Sequence, residues 1–436
     1  MSLLQGLEMT FTHLRVRLAA ALLMLGLAPW TGARLYGVSI APNQRLLPTL
    51  PSDALFNDAV LHEIRLSINS KDWQTLKDNY LTNDYYPCDF RWNGQLVRNV
   101  GIRSRGQASR SATKPSLRVD FNRYTAGQTL LDLKSVVLRN NATDFSNLHE
   151  RIAMELYARM GLPAPRVAHA KLYINDTYQG LYSIVESLDK SFLSRNFDES
   201  DGYLYKYDRL PTDAPYYLDY LGPAASLYSP HPFNPETHED NPKPQPIADL
   251  IRAVHDAGDG SFRSEISQYL DVNQFIRNIA VTVYMADEDG FLGNWGMNNY
   301  DLYQRQGSMV HVIIPWDKSE ATRSGPTYSI FHNINDVPAS QQNRLMARIM
   351  GLIDLRNQYF DALVQTADLA SELVPGDGRG WMEREVEREN AQIQDAVLAD
   401  TTKPYSNDQY RAATDDLRTF ARERADFVRT EVANAR

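Results

Sequence analysis

The sequence predicts an α+β fold: an N-terminal antiparallel-sheet lobe with one main helix, followed by a mostly helical C-terminal lobe. Three observations predict it. Strand-like segments crowd residues 58–186, and two pairs of them flank the turn dipeptides Asn93-Gly94 and Asn175-Asp176. Within that region, Leu148, Ile152, Leu156 and Met160 form one apolar stripe at helical spacing. From Ile247 onward the period is helical almost throughout, interrupted by one strand pair.

Taken in order, Leu61–Ile68 alternates apolar and polar residues and reads as a half-buried strand, after which Ser70 caps a short helix around Asp72–Tyr80. Tyr86–Trp92 and Gln95–Arg103 form the first hairpin, and Ser116–Phe121 and Ser135–Leu138 are further strands. Asp144 or Ser146 caps the main helix, which Gly161 stops, with Pro163 just beyond. His169–Ile174 and Gly180–Val185 form the second hairpin. Residues 210–245 are rich in proline and tyrosine and read as a long surface loop. Helices follow at Ile247–Ala257, Phe262–Tyr269 and Val272–Met285, then the strand pair Tyr300–Arg305 and Met309–Pro315. Residues 339–436 are helical with charged faces.

Composition narrows the function classes. Of the 436 residues, 43% are hydrophobic and 23% charged, which excludes a mostly disordered chain, a collagen-like repeat and a polytopic membrane protein. A net charge of -9 argues against a broad nucleic-acid-binding face. The single cysteine, Cys88, excludes an intrachain disulfide and a multi-cysteine zinc site. At the N-terminus, Arg15 and Arg17 precede an apolar run, Leu18–Ala28, and small residues follow at Thr31-Gly32-Ala33. This is the pattern of a secretory signal peptide and is too short for an ordinary spanning helix. It predicts a secreted, periplasmic or cell-envelope location, with no integral membrane domain beyond an N-terminal anchor.

The residues most suggestive of chemistry lie at 284–317. Asp287-Glu288-Asp289-Gly290 ends a helix, Asn294 and Asn298-Asn299 follow in a glycine-containing loop, and Asp317 comes just after a strand. Carboxylates and amide oxygens on loops at element ends suit Mg²⁺, a hard cation that keeps several waters. Acid, amide, hairpin, acid is also the order protein kinases use, and Asp289 and Asn294 have the D-x-x-x-x-N spacing. Upstream, Gly101–Ser109 runs from a strand into a loop of small polar residues, with Lys114 and Arg118 beyond it, a combination suited to a phosphate group. On the main helix, at ~100° per residue, Glu155 falls on the side of Leu148 and Ile152, and Glu150 nearly opposite. A carboxylate on the apolar stripe needs a cation, and Lys114 or Arg118 is the expected partner. Walker A, G-x-S-x-G and H-E-x-x-H patterns are absent.

These segments resemble the CotH kinase family. The matching text runs Asn99–Arg103 with Gly106 and Ser109, Lys114–Phe121, Asp144–Leu148, Gly161–Arg166, Leu172–Asn175 and Gly180–Tyr182 with Glu186. It continues through Gly202–Lys206, Asp289-Gly290, Asn298–Tyr303 and Ile314–Asp317. The resemblance implies a bilobal, atypical protein-kinase-like fold. It implies transfer of phosphate from ATP, with Mg²⁺, to Ser or Thr of a protein acceptor. Asp289 would be the catalytic aspartate. Asp317 and Asn299, or Asn294, would be metal ligands. Lys114 or Arg118 would hold phosphate, with Glu155 orienting that cation, and Glu186 would lie near the nucleotide at the lobe junction. The implied division is 1–33 signal or anchor, 34–57 linker, 58–190 nucleotide-binding lobe and 191–436 catalytic lobe. One departure is visible: the family often reads W-D-x-D where this chain has Trp316-Asp317-Lys318-Ser319. The family also includes surface proteins, so a non-catalytic adhesion protein with the same fold is the alternative.

Overall fold

The alternation at the start of the sheet region is a true one-face pattern. In β1 (His62–Ile68), Ile64, Leu66 and Ile68 are buried while Glu63 and Ser67 are exposed. The computed structural model describes residues 50–209, 214–334 and 336–436. The apolar N-terminal run and most of the expected linker therefore lie outside the described residues. Helix α1 (Ser70–Asp78) is capped by Asn69, whose side chain accepts from Lys71 N at 2.9 Å, one residue earlier than the expected Ser70 cap. Strands β2 (Tyr86–Trp92) and β3 (Gln95–Ser104) form the first hairpin. Its turn residues Asn93 and Gly94 have φ of 45° and 75°, the left-handed pair that matches strand twist.

Strands β4 (Leu117–Asp120) and β5 (Ser135–Arg139) continue the sheet, followed by α2 (His149–Arg159), β6 (Val167–Ile174) and β7 (Thr177–Glu186). The seven strands close into a barrel of order β1-β2-β3-β4-β5-β7-β6. Closure comes from a parallel pairing of β1 with β6, Ile64 opposite Leu172; every other pairing in the barrel is antiparallel. The expected antiparallel sheet is thus a closed barrel, because the closing contact joins segments about a hundred residues apart that no local turn signals. Phe90, Ile102, Val119, Leu138, Leu172 and Ile184 fill its interior. Leu55 and Phe56 join that core, so the last residues of the expected linker belong to the barrel.

Strand β7 is buried on both faces. Tyr182 and Ile184 point into the barrel, whereas Leu181 and Val185 join a second core with Leu148, Ile152 and Leu156 of α2. Full burial of each such aliphatic side chain stabilises the fold by about 1.5–3 kcal/mol. After α3 (Lys190–Phe197), β8 (Tyr203–Tyr207) and β9 (Phe233–Pro235) pair in segments given no strand in the sequence reading, and both are short. Helices α4 (Gln245–Asp256), α5 (Phe262–Ile266) and α6 (Val272–Tyr284) lie within a few residues of their expected bounds. Strands β10 (Tyr300–Gln304) and β11 (His311–Pro315) complete a second sheet of order β11-β10-β8-β9. Helices α7 (Arg344–Gly351), α8 (Ile353–Ala370), α9 (Trp381–Leu398) and α10 (Asn407–Ala435) end the chain.

Residues 50–436 form one compact unit. Two contacts tie its C-terminal helices to the rest of the fold. Arg424 of α10 is fully buried and donates to the carbonyls of Val283 (2.8 Å) and Tyr284 (2.9 Å) at the end of α6, and to Pro326 (2.9 Å) and Tyr328 (2.5 Å). Asp400, just past α9, docks on β7, where Gly180 has φ of 109° and a Cβ would lie 2.1 Å from the Asp400 carboxylate. No helix among the described residues is long and apolar enough to cross a membrane.

Candidate active site

Helix α6 delivers the chain to the site and stops there. Arg424 satisfies its last carbonyls, and Ala286 turns with φ of 49°. Asp287, buried, then pairs with Lys318 Nζ at 2.8 Å and accepts from Asp289 N at 3.2 Å. Gly290 is required by this packing, since a Cβ there would lie 2.6 Å from Asp287 Oδ2.

Asp289 is held by two amides. Its Oδ1 accepts from Asn298 Nδ2 and its Oδ2 from Asn299 Nδ2, each at 2.8 Å. Asn299 has φ of 53°, and its backbone carbonyl accepts from Trp316 N at 3.1 Å and Lys318 Nζ at 3.2 Å. One residue therefore fastens the loop carrying Asp289 to the loop carrying Asp317. Ala286, Asn299, Asp317 and Thr322, non-glycine residues with φ of 49°, 53°, 46° and 66°, cluster in these two loops. Left-handed backbone of this kind persists where packing over-determines it, as at functional sites.

Asp317 is not free. Its Oδ1 lies 2.6 Å from Arg139 Nη1 and accepts from Ser319 Oγ at 2.9 Å. Arg139 ends β5 and also lies 2.9 Å, through Nε, from Glu150 Oε2 in the first turn of α2. That second contact is close without hydrogen-bond geometry, for neither Glu150 oxygen and neither Arg139 Nε nor Nη2 completes a hydrogen bond. Burial alone would raise the Asp317 pKa, but Arg139 and Arg105 outweigh it and hold the group down at about 2. Burial pushes Glu150 up to about 7 against the pull of Arg139, with Asp317 adding to the rise. Burial and the neighbouring Arg139 lower Arg105 to about 9. Both guanidiniums stack on the Trp316 ring, at 5.7 and 5.3 Å. Burial raises Asp289, opposed by the Asn298 hydrogen bond and reinforced by Asp287 and Asp317.

Beside Trp316 opens a cleft of about 840 Å³ between barrel strands and the second sheet. Arg103, Arg105, Arg118, Lys134, Lys190 and Lys206 line it, together with apolar Val137, Leu188 and Leu204. Arg118 donates only a long 3.4 Å bond to Ser135 Oγ, and its buried Nε has no partner. Such guanidinium atoms suit an anion.

The structure brings together Asp289, Asn299 and Asp317 and places Arg118 in the adjoining cleft. It places the other expected residues elsewhere. Lys114 is 2% exposed, and its ammonium is taken by Asp400 (2.7 Å) and the Leu181 carbonyl (2.8 Å). Glu155 is 40% exposed at its side chain and meets Arg151 rather than Lys114 or Arg118. The helical-wheel argument fails because polar as well as apolar residues of α2 are buried: His149, Glu150 and Arg151 face packed elements, and it is Glu155 that reaches towards solvent. Glu150, the residue set aside, is the buried one. Asn294 is exposed and its carboxamide oxygen contacts His332 (2.6 Å) and Asn333 (3.2 Å), so the five-residue spacing does not carry it to the Asp289 carboxylate. Glu186 is buried with both oxygens held by Arg166 and Arg195, and it anchors Ser187, Leu188 and Asp189 at the cleft wall.

Sequence reasoning missed Arg139 and Lys318 as partners, and named Asn298 without giving it a role. The only signal for Arg139 was its place at the end of an apolar strand, just before Asn140-Asn141. Among the described residues, the one group of three acidic or histidine side chains close enough to share an ion is Asp58, Glu385 and Glu389, far along the chain from this site and crossed by ion pairs to Arg151 and Arg388. At the site itself, Asp317 Oδ2, Asn298 Oδ1 and Asn299 Oδ1 take part in none of the hydrogen bonds that hold these residues. Carboxylate and carboxamide oxygens are the donor types a hard divalent cation takes.

Comparison with known proteins agrees with the sequence resemblance. The chain is 22% identical over 380 residues to the inner spore coat protein H of Bacillus subtilis, covering 86% of this chain and 99% of that protein. The crystal structure of the Helicobacter pylori proinflammatory kinase CtkA aligns with 73% of this chain and 94% of its own at 11% identity, with a TM-score of only 0.29. The family model described as CotH kinase protein matches residues 102–428, three quarters of the sequence, and the chain therefore belongs to that family.

Proposed function

We propose that this protein is a Mg²⁺-dependent kinase that transfers phosphate from ATP to Ser or Thr of a protein acceptor. On this reading the fold is a kinase-like bilobal one, with the barrel as nucleotide lobe and the helical part as catalytic lobe. The observation that carries the reading is Asn299, whose side chain holds Asp289 while its backbone carbonyl holds the Asp317 loop. Asp289 would orient the acceptor hydroxyl and take its proton, a role suited to a carboxylate whose pKa is raised. Asp317 Oδ2 and Asn299 Oδ1 would hold Mg²⁺, which when bound neutralises phosphate charge. Arg105, Arg118 and Arg139 would stabilise the charge that develops on transfer. The spore-coat relative supports an extracellular or envelope location.

The Arg139–Asp317 ion pair favours a second reading, a non-catalytic surface protein in which an arginine stands where a cation would bind. Labelled ATP separates the two. The kinase reading expects Mg²⁺-dependent labelling of the protein or an added protein substrate, abolished by Asp289→Ala and by Asp317→Ala when each variant is assayed below its own melting temperature, which Asp317→Ala lowers because Arg139 loses its countercharge. Labelling that survives both substitutions refutes the site, and absence of nucleotide binding selects the surface-protein reading.

A further inference from the structure

Arg139 meets Asp317 with one nitrogen only. Nη1 lies 2.6 Å from Asp317 Oδ1, while Nε and Nη2, both buried, complete no hydrogen bond. Those two nitrogens form one edge of the planar guanidinium, a fork that matches a carboxylate two bonds at a time. A carboxylate already lies beside it. Glu150 Oε2 is 2.9 Å from Nε, and both Glu150 oxygens are buried without completing a hydrogen bond. Two open donors and two open acceptors, in contact and out of water, are costly as they stand.

We infer that Glu150 is a positioning residue, the second seat of Arg139: when a divalent cation takes Asp317, the guanidinium leaves Asp317 and sets its Nε–Nη2 fork on the two Glu150 oxygens. Turning the fork onto Glu150 draws Nη1 away from Asp317, so Arg139 completes one pairing or the other. A cation on Asp317 decides between them, because it and the guanidinium repel across the one carboxylate. Before the exchange Arg139 supplies the charge that Asp317 needs; after it the cation does, and Glu150 gains a full partner. No buried carboxyl is left alone at either stage. This rests on the cation site proposed at Asp317, and it makes the Arg139–Asp317 pair the resting state of that site.

Mn²⁺ tests it, since it takes the same hard oxygen donors as Mg²⁺ and its free form is counted by electron paramagnetic resonance. The full chain is titrated with Mn²⁺ alone at pH 8, above the value of about 7 for Glu150, so that no proton takes part. The site scored is the one that Asp317→Ala removes, and each variant is titrated below its own melting temperature. Glu150→Gln is expected to weaken that site about tenfold or more, because the guanidinium has no charged seat to leave for. In an Arg139→Gln background the same change is expected to shift affinity by less than about twofold, since nothing has to move. No weakening, or equal weakening in both backgrounds, overturns the exchange. A crystal structure of the wild type with Mn²⁺ reads the same point without variants. Nε and Nη2 on the Glu150 oxygens support the exchange, and an unchanged Arg139–Asp317 contact beside bound Mn²⁺ overturns it. A wild type that takes no Mn²⁺ at Asp317 overturns the cation reading beneath it.

Discussion

Arg139 lies 2.6 Å from Asp317, and it is the main reason the Asp317 carboxyl stays ionised down to about pH 2. The same guanidinium approaches Glu150 at 2.9 Å, so one buried cation serves two carboxyls of opposite character. Arg139→Gln should therefore do two separable things. It should cost about 3–5 kcal/mol of stability, because both carboxyls lose their countercharge in a buried setting. It should also let the Asp317 pKa rise, moving the acid limb of Mg²⁺-dependent nucleotide binding to higher pH by about one unit or more. Chemical denaturation measures the first and a pH series of nucleotide titrations the second. An unmoved acid limb would show that Arg139 does not govern Asp317.

Glu150 gives a pH dependence of known sign. Its ordinary value of 4.5 rises to about 7 in the fold. Between those values the unfolded chain has released the proton and the folded one keeps it, so the native state binds more protons and stability falls as pH rises through the window. Asp317 acts oppositely: its folded value near 2 lies below its ordinary 3.8, so its contribution is present above about pH 4 and lost only in strong acid. Glu150→Gln should remove the neutral-range fall. The variant should gain on the wild type by on the order of 3 kcal/mol between about pH 5 and pH 8, read as the difference between their melting curves. Parallel curves would count against the raised value.

Lys114 and Asp400 are 2% and 1% exposed at their side chains and join the loop before β4 to the segment after α9. Lys114→Ala leaves Asp400 buried beside Gly180, Leu181 N and Thr402 with its countercharge gone. The expected loss is about 3–5 kcal/mol. Nucleotide affinity, measured below the lowered melting temperature, should stay within about twofold of the wild type, since the ammonium is held by Asp400 and the Leu181 carbonyl and Lys114 does not line the cleft. A selective loss of nucleotide binding in a stable variant would return Lys114 to the phosphate site.

The contrast between Lys114 and Asp317 shows what the sequence made legible. Local chemistry came through: strand alternation in β1, the Asn93-Gly94 turn, the apolar run of α6 and the nearness of Asp289 and Asn299 all correspond to the structure. Nonlocal pairing did not. The parallel closure of β1 on β6, the partner of Lys114 some 286 residues away and the Arg139–Asp317 contact depend on where the chain returns, which no local period encodes. Glu150 and Glu155 were exchanged for the same reason. A helical wheel ranks faces by apolar content, and in α2 the buried face carries His149, Glu150 and Arg151 while Glu155 lies on the partly exposed side.

Lys318 replaces no metal ligand in geometry; it works as a tie. Its ammonium, 3% exposed, meets Asp287 at 2.8 Å and the Asn299 carbonyl at 3.2 Å, linking the two loops that carry Asp289 and Asp317. Asp287, Asp289 and Tyr157 together raise its pKa against burial, so it stays charged across the working range. Lys318→Met keeps the length and removes the charge, leaving Asp287 buried without its cation. Stability should drop by about 3–5 kcal/mol, and Asp287→Asn added to it should restore part of that loss, because a neutral amide tolerates burial better than an orphaned carboxylate. On the kinase reading, the double variant should remain slow in kcat with nearly normal nucleotide affinity, since the Asn299 carbonyl has lost its anchor while the cleft is untouched. Recovery of kcat along with stability would mean that the pair holds the fold and does not position the reacting groups.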